Sequence, residues 1–361
     1  MARILIAPDS FKGSATSVQV AHAIKQGWIS LRAHDLVTCT PFADGGEGTL
    51  DCIESVSTDS ERISISVQGA TGREHQSSWL LVDGDTAVIE MATLCGITTV
   101  EKLDPLGAHS FGLGQAIAGA LKDRRVKEIL VTVGGSASTD GGTGALAALG
   151  FRFTDADGLP VALGGGNLQK IAAIAAPGDL TLPMRGIKVL VDVQSPLLGE
   201  TGAAQIFGPQ KGASAHDIQL LDEGLAHLLH LVGGRDTSGF GAAGGVSFGL
   251  ATLLGATIVS GVETLATLIG LDEKIASAEY VITGEGSFDS QSFSGKVVGH
   301  ILDRAQVLGA EAAVICGVNK SGSDVTAIAL VDLAPTVDQA INESKKWLIE
   351  AGSKLAAAFH H

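Results

Sequence analysis

Residues 4–31 read ILIAPDSFKGSATSVQVAHAIKQGWISL, and their pattern decides the fold class. Ile4–Ala7 is an apolar run of strand length, and PDSFKGS (8–14) is a polar loop. Thr16 or Ser17 suits a helix N-cap, after which Val20, Ala23, Ile24 and Trp28 recur near helical spacing to about Leu31. Leu36–Thr40 then predicts a second strand and Glu47–Val56 a second helix. Strands alternating with helices in this way require parallel neighbours, hence an α/β, doubly wound sheet.

Moving outward, the pattern changes near residue 60. Arg62–Val67, Gln76–Val82 and Thr86–Met91 alternate polar and apolar residues across turns at Thr71-Gly72 and Asp83-Gly84, an antiparallel meander. Ser110–Leu121 and Asp217–Leu231 predict helices, Glu128–Val133 and Ile187–Val191 buried strands. Strand and helix alternate again at Tyr280–Thr283, Val297–Leu308, Ala312–Cys316, Ala327–Leu330 and Ile341–Ala351. Pairing of these last strands with the first ones gives a discontinuous domain, 1–60 plus 275–352, carrying an inserted mixed α/β domain, 61–274. Residues 353–361 end in two histidines and are set aside as an appended tail.

Composition narrows the function classes. The 361 residues are 45% hydrophobic and 17% charged, which excludes a self-repelling disordered chain. A net charge of −15 disfavours nucleic acid as a partner. No apolar run has bilayer length, and the N-terminus lacks the pattern of a secretory signal, so no membrane and a cytoplasmic location are expected. Cys39, Cys52, Cys95 and Cys316 form no CxxC pair and read as reduced thiols. The histidines are scattered, without HExxH spacing or a GxSxG partner, which leaves a zinc protease or a serine hydrolase without support.

The 48 glycines cluster with acids and small hydroxyls in five loops, each after an apolar strand. Ligands of open α/β sheets bind at the carboxyl ends of strands, so the five loops predict one composite site. In PDSFKGS, Asp9 suits orientation or deprotonation of a hydroxyl, while Lys12 suits phosphate oxygens with support from Ser10 and Ser14; the alternative is a turn or cap aspartate. ADGGEG (43–48) offers Asp44 and Glu47 as oxygen ligands around Gly45 and Gly46. GGSASTDGGTG (134–144) presents Gly135, Ser136, Ser138, Thr139 and Asp140 at a helix start, suited to a phosphate or a carboxylate, although it is neither a Walker A nor a GxGxxG motif.

DVQSP (192–196) places Asp192 after a strand as a metal ligand or base. Nearby FGPQKG (207–212) offers Lys211 as an anion clamp, with a solvated surface lysine as the competing reading. TGEGSFDSQSFSGK (283–296) adds Gly284, Glu285, Asp289, Ser294, Gly295 and Lys296, acids for a metal and a lysine for phosphate.

Taken together, IAPDSFKGS, FADGGEGT, TVGGSASTDGGTGAL, DVQSPLLGETGAAQIFGPQKGA, FGAAGGVSFGL and VITGEGSFDSQSFSGK resemble the glycerate kinase type I family. The resemblance implies ATP-dependent phosphorylation of D-glycerate, in bacteria usually to 2-phosphoglycerate. It also implies a flavodoxin-like domain and a second of restriction-endonuclease-like topology, with the site in the cleft between them. The residue roles are read from the loops themselves: Asp192 or Asp44 is expected to orient the hydroxyl, with Lys12 and Asp9 as further catalytic candidates. Mg²⁺ is expected on acids among Asp44, Glu285 and Asp289, and phosphate or carboxylate on Lys12, Lys211 and loop 134–144. ATP and D-glycerate are the expected partners of a monomer or homodimer. Alternatives are the 3-phosphate product, another small hydroxy acid as acceptor, or a non-catalytic nucleotide-binding protein.

Overall fold

The computed structural model describes residues 1–293 and 296–359. In chain order the strands are β1 Arg3–Ile6, β2 Leu36–Cys39, β3 Ser60–Gln68, β4 Glu74–Val82, β5 Thr86–Glu90, β6 Glu128–Thr132, β7 Arg152–Thr154, β8 Ala173–Ala175, β9 Ile187–Leu190, β10 Thr257–Val259, β11 Tyr280–Phe288, β12 Glu311–Asn319 and β13 Ala327–Ala329. Two compact units form: Met1–Asp44 with Asp51–Thr58 and Val262–His361, and Gly45–Leu50 with Asp59–Gly261.

The first unit is built on a sheet of order β13-β12-β11-β1-β2. Every pairing in it is parallel, as the opening β-α-β pattern requires. Numbered within the sheet, this is the flavodoxin-like order 2-1-3-4-5, whose switch point lies between β1 and β11. Ser17–Leu31 is the expected first helix; the Thr16 hydroxyl accepts from the Gln19 N–H at 3.3 Å and Gln19 returns the bond to the Thr16 N–H at 3.0 Å. That capping box fixes where the helix begins. Val20, Ile24 and Trp28 on its inner face pack with Trp347, Leu348 and Leu355 of the helix Ser344–Ala358. The two helices touch through glycines: a Cβ on Gly27 would lie 2.0 Å from the Ile349 carbonyl oxygen, and one on Gly352 2.4 Å from that of Ile24.

Two sequence expectations change here. Residues 353–359 are no tail. The helix carries on through Ala358, Leu355 and Ala356 are 2% exposed, and the Phe359 ring stands 4.9 Å from Tyr280 and 5.5 Å from Trp28. The apolar spacing Leu348, Ala351, Leu355 simply continues the buried stripe, and the terminal histidines, which lie outside the described residues, obscured it. Likewise, TGEGSF is strand rather than loop. β11 runs on to Phe288, paired in register with β12 as far as Asn319. A Cβ at Gly317 would meet the Gly286 carbonyl oxygen at 2.4 Å, so glycine permits strands to stay this close.

The second unit is mixed, with sheet order β10-β9-β6-β5-β4-β3. β3, β4 and β5 are the expected antiparallel meander, and β5, β6, β9 and β10 run parallel. A small β7-β8 ribbon stands apart from it. Ile89, Val131 and Val189 of three neighbouring strands are 0% exposed, with Leu113, Leu146 and Phe248 packed in the same core. Because four strands are parallel, their carboxyl ends share one edge, and Glu90, the loop after Thr132 and Asp192 all follow from it. Among the described residues, no helix is long and apolar enough to cross a membrane.

Candidate functional site

In the first unit, the switch point gathers acids. β1 pairing continues past its end: the Asp9 N–H donates to the Gly284 carbonyl at 2.8 Å, and the Thr283 hydroxyl to the Ala7 carbonyl at 2.9 Å. Asp9 Oδ1 accepts from the Ser10 N–H at 2.6 Å. Burial pushes the Asp9 carboxyl up to about 7, with Asp44 and Glu285 adding repulsion and Lys12 opposing them. Glu285 is also raised, chiefly by burial and with repulsion from Asp289 added, while a hydrogen bond from Ser292 and the charges of Lys296 and Lys12 pull the other way. Three acids from β11, β1 and the loop after β2 thus share one field with two exposed lysines, Lys12 and Lys296.

Glu285 Oε1 is buried without a hydrogen-bond partner among the described residues. A hard cation satisfies such an oxygen, and Mg²⁺ is typically held by one or two carboxylates plus substrate phosphates rather than by an all-protein cage. Among the described residues, no group of three His, Cys, Asp or Glu is placed to hold a metal. The buried Glu285 oxygen fits a phosphate-bound cation, and Asp44 shares the field at Asp9 with it. Asp289 is more heavily engaged: its Oδ1 accepts from the Gln291 N–H at 2.8 Å, its Oδ2 from the Ser287 hydroxyl at 3.3 Å, and its own N–H donates to Ser292 at 3.0 Å. It caps a turn. Ser294 and Gly295 lie outside the described residues.

The second unit builds a different site. The loop after β6 is pinned at several points: the Gly134 N–H donates to the Gly45 carbonyl at 3.1 Å, the Ile97 N–H to Gly135 at 2.8 Å, and the Ala137 N–H to Cys95 at 3.0 Å. A Cβ on Gly134 would lie 2.7 Å from Gly46 Cα, so the two glycine loops are in contact. Glu90, fully buried at the end of β5, accepts from the N–H groups of Gly48 at 3.1 Å and Leu50 at 2.9 Å and so holds the start of the helix Thr49–Val56.

Lys211 is no surface lysine: it is 2% exposed, and its Nζ donates to the Ser136 hydroxyl at 2.9 Å and the Ser138 carbonyl at 2.5 Å. Burial lowers its pKa to about 7, which Asp140 only partly offsets. The hydroxyls of Thr132, Ser138 and Thr139 are buried without partners among the described residues. Asp140, expected to face a ligand, instead accepts from the Ser110 N–H and hydroxyl, both at 2.8 Å, and from the N–H groups of Gly142 and Gly144. Its role is to join two helix starts. Asp192 Oδ1 accepts from the Gly261 N–H at 2.9 Å and the Ser260 hydroxyl at 3.1 Å, which fixes its carboxylate at the start of the helix Gly261–Leu268.

Some contributors were not visible in sequence. Gly244, at φ 68°, would place a Cβ 2.2 Å from the Ser138 carbonyl oxygen, and Ala243 adopts φ 53° beside it. That turn packs under the loop, and an alanine held left-handed costs on the order of 1–3 kcal/mol. Glu90 and Thr132 sat inside strand-like runs, where nothing marks them as polar anchors.

The glycerate kinase family model matches residues 4–360. The chain belongs to the glycerate kinase family. It is a kinase, and its relatives agree over most of its length. Glycerate 2-kinase of Escherichia coli is 42% identical over 305 residues, 82% of this chain and 80% of that one. Glycerate kinase of Halalkalibacterium halodurans is 36% identical across 99% of this chain and 98% of its own length. A solved crystal structure described as glycerate kinase 2 from Salmonella typhimurium superposes with a TM-score of 0.83 at 34% identity, covering 99% of this chain and 98% of the other. Within the glycerate kinase family, then, the acids of the parallel sheet and the buried lysine of the mixed sheet are the chemistry to be explained.

Proposed function

We propose that this kinase transfers the γ-phosphoryl group of ATP to the 2-hydroxyl of D-glycerate, giving 2-phosphoglycerate and ADP. The names of the relatives supply the acceptor, and the E. coli relative's name supplies the position. The observation that carries a phosphotransferase reading is the Asp9, Asp44 and Glu285 group at the switch point, flanked by Lys12 and Lys296. Phosphoryl transfer asks a protein for positioning and charge neutralisation rather than covalent chemistry.

Asp44 and Glu285 would hold Mg²⁺ against the nucleotide phosphates; when bound, it offsets phosphate charge as the transferred group moves. Lys12 and Lys296 add positive charge there. In the second unit, Asp192 orients the acceptor hydroxyl and takes its proton, its carboxylate plane set by Gly261 and Ser260. Gly45, Gly46 and Gly135 let the loops approach without side chains in the way. The test is ADP release from ATP and Mg²⁺ with D-glycerate added, followed by phosphorus NMR of the product. Release dependent on D-glycerate with a 2-phosphate resonance supports the reading; a 3-phosphate corrects the position, and no release overturns it.

A further inference from the structure

Lys211 is bonded to a loop that carries buried hydroxyls without partners among the described residues. Its Nζ donates to the Ser136 hydroxyl and the Ser138 carbonyl, which leaves its third N–H unused among the described residues. In the loop it bonds, the Ser138 and Thr139 hydroxyls, at 0% and 1% exposure, have no partner among the described residues. Among the described residues, the charged group that acts on the amine is Asp140, and its carboxylate is already engaged by Ser110, Gly142 and Gly144. What the cluster lacks is an acceptor with several lone pairs. Buried polar groups are nearly always satisfied, so the deficit points to a bound group rather than to packing.

Two anions have that chemistry, a carboxylate and a phosphoryl group. A polyphosphate carries several charges and calls for several cations in an open approach. The exposed pair Lys12 and Lys296 is of that kind, and the solitary sunken amine with neutral hydroxyls is not. Resting on the glycerate reading above, we infer that Lys211, Ser138 and Thr139 seat the carboxylate of the acceptor. A neutral polyol offers that seat no carboxylate and is refused.

Burial holds the Lys211 pKa at about 7. A carboxylate seated beside it favours the ammonium form, so binding takes up a proton, and acceptor affinity falls roughly tenfold per pH unit above 7.

The experiment compares wild type with Lys211→Met and Ser138→Ala in the complete protein, measuring the KM for D-glycerate, the KM for ATP and the melting temperature. Methionine nearly matches the lysine stem but gives up the bonds to Ser136 and the Ser138 carbonyl, so Lys211→Met is read beside its own melting temperature, whereas Ser138→Ala removes a hydroxyl without a partner among the described residues and should melt like wild type. The expected result is a KM for D-glycerate raised about 10- to 100-fold in Lys211→Met and roughly 3- to 10-fold in Ser138→Ala. The KM for ATP should stay within about twofold in both. A rise in the KM for ATP instead would make this a phosphate seat and overturn the inference. Lower melting with both KM values unchanged would reduce Lys211 to a brace for the loop. If the wild type turns over another hydroxy acid but not D-glycerate, the proposed acceptor fails while the same variants, tested on that acid, still decide the role of Lys211.

Discussion

Asp9 donates its main-chain N–H to the carbonyl of Gly284 at 2.8 Å, the last link between β1 and β11 before the strands part. That bond brings the Asp9 carboxylate to the sheet edge where the next residue of β11, Glu285, also stands. Their repulsion, with that of Asp44, is built into the resting protein and has measurable consequences.

Burial, with Asp44 next, raises the Asp9 pKa from 3.8 to about 7. The native state therefore holds a proton that the unfolded chain releases, and stability from this group is full below about pH 4 and is lost as pH rises through 7. Asp9→Asn abolishes the titration. Its melting temperature should match wild type at pH 4 and exceed it by about 2–5 °C at pH 8. Equal melting at both pH values would mean that Asp9 is solvated.

Asp192 separates a cap from a catalytic role. Asn keeps the acceptor oxygen for the Gly261 N–H but loses the charge, so Asp192→Asn should melt within about 2 °C of wild type while kcat falls at least ~100-fold. Asp192→Ala also loses the cap, at about 1 kcal/mol. A wild-type kcat in the Asn variant would leave Asp192 as a helix cap alone.

Glu285 and Asp289 were equivalent on paper and are not in the fold. Glu285→Gln should raise the Mg²⁺ concentration for half-maximal rate at least ~10-fold, and Asp289→Ala by less than ~2-fold. A titration of rate against Mg²⁺ for the two variants decides it, and the reverse order would return the metal to Asp289.

The parallel sheet was legible because its strands are short apolar runs with capped helices between them, as at Ile4–Ala7 and Thr16. The meander was legible because alternation survives on a half-exposed face, as in β3. Burial was harder to see. Lys211 looked like a surface lysine between two glycines, and only the tertiary fold sinks it to 2% exposure. Asp140 and Asp289 looked like ligands because an acid in a glycine loop has the same local signature whether it faces a ligand or caps a backbone. Glycine content misled at β11, since glycine suits a loop and equally suits a strand held close to its neighbour. Phe359 was hidden by its setting, a short apolar stretch ending in histidines.

The central claim is phosphorylation of D-glycerate, and the most direct measurement is phosphorus NMR of the purified protein with ATP, Mg²⁺ and D-glycerate. The account predicts that the γ-phosphate signal of ATP decays as a 2-phosphoglycerate signal grows in equal amount. ATP consumed without a phosphorylated acid, or no consumption that depends on D-glycerate, would contradict it.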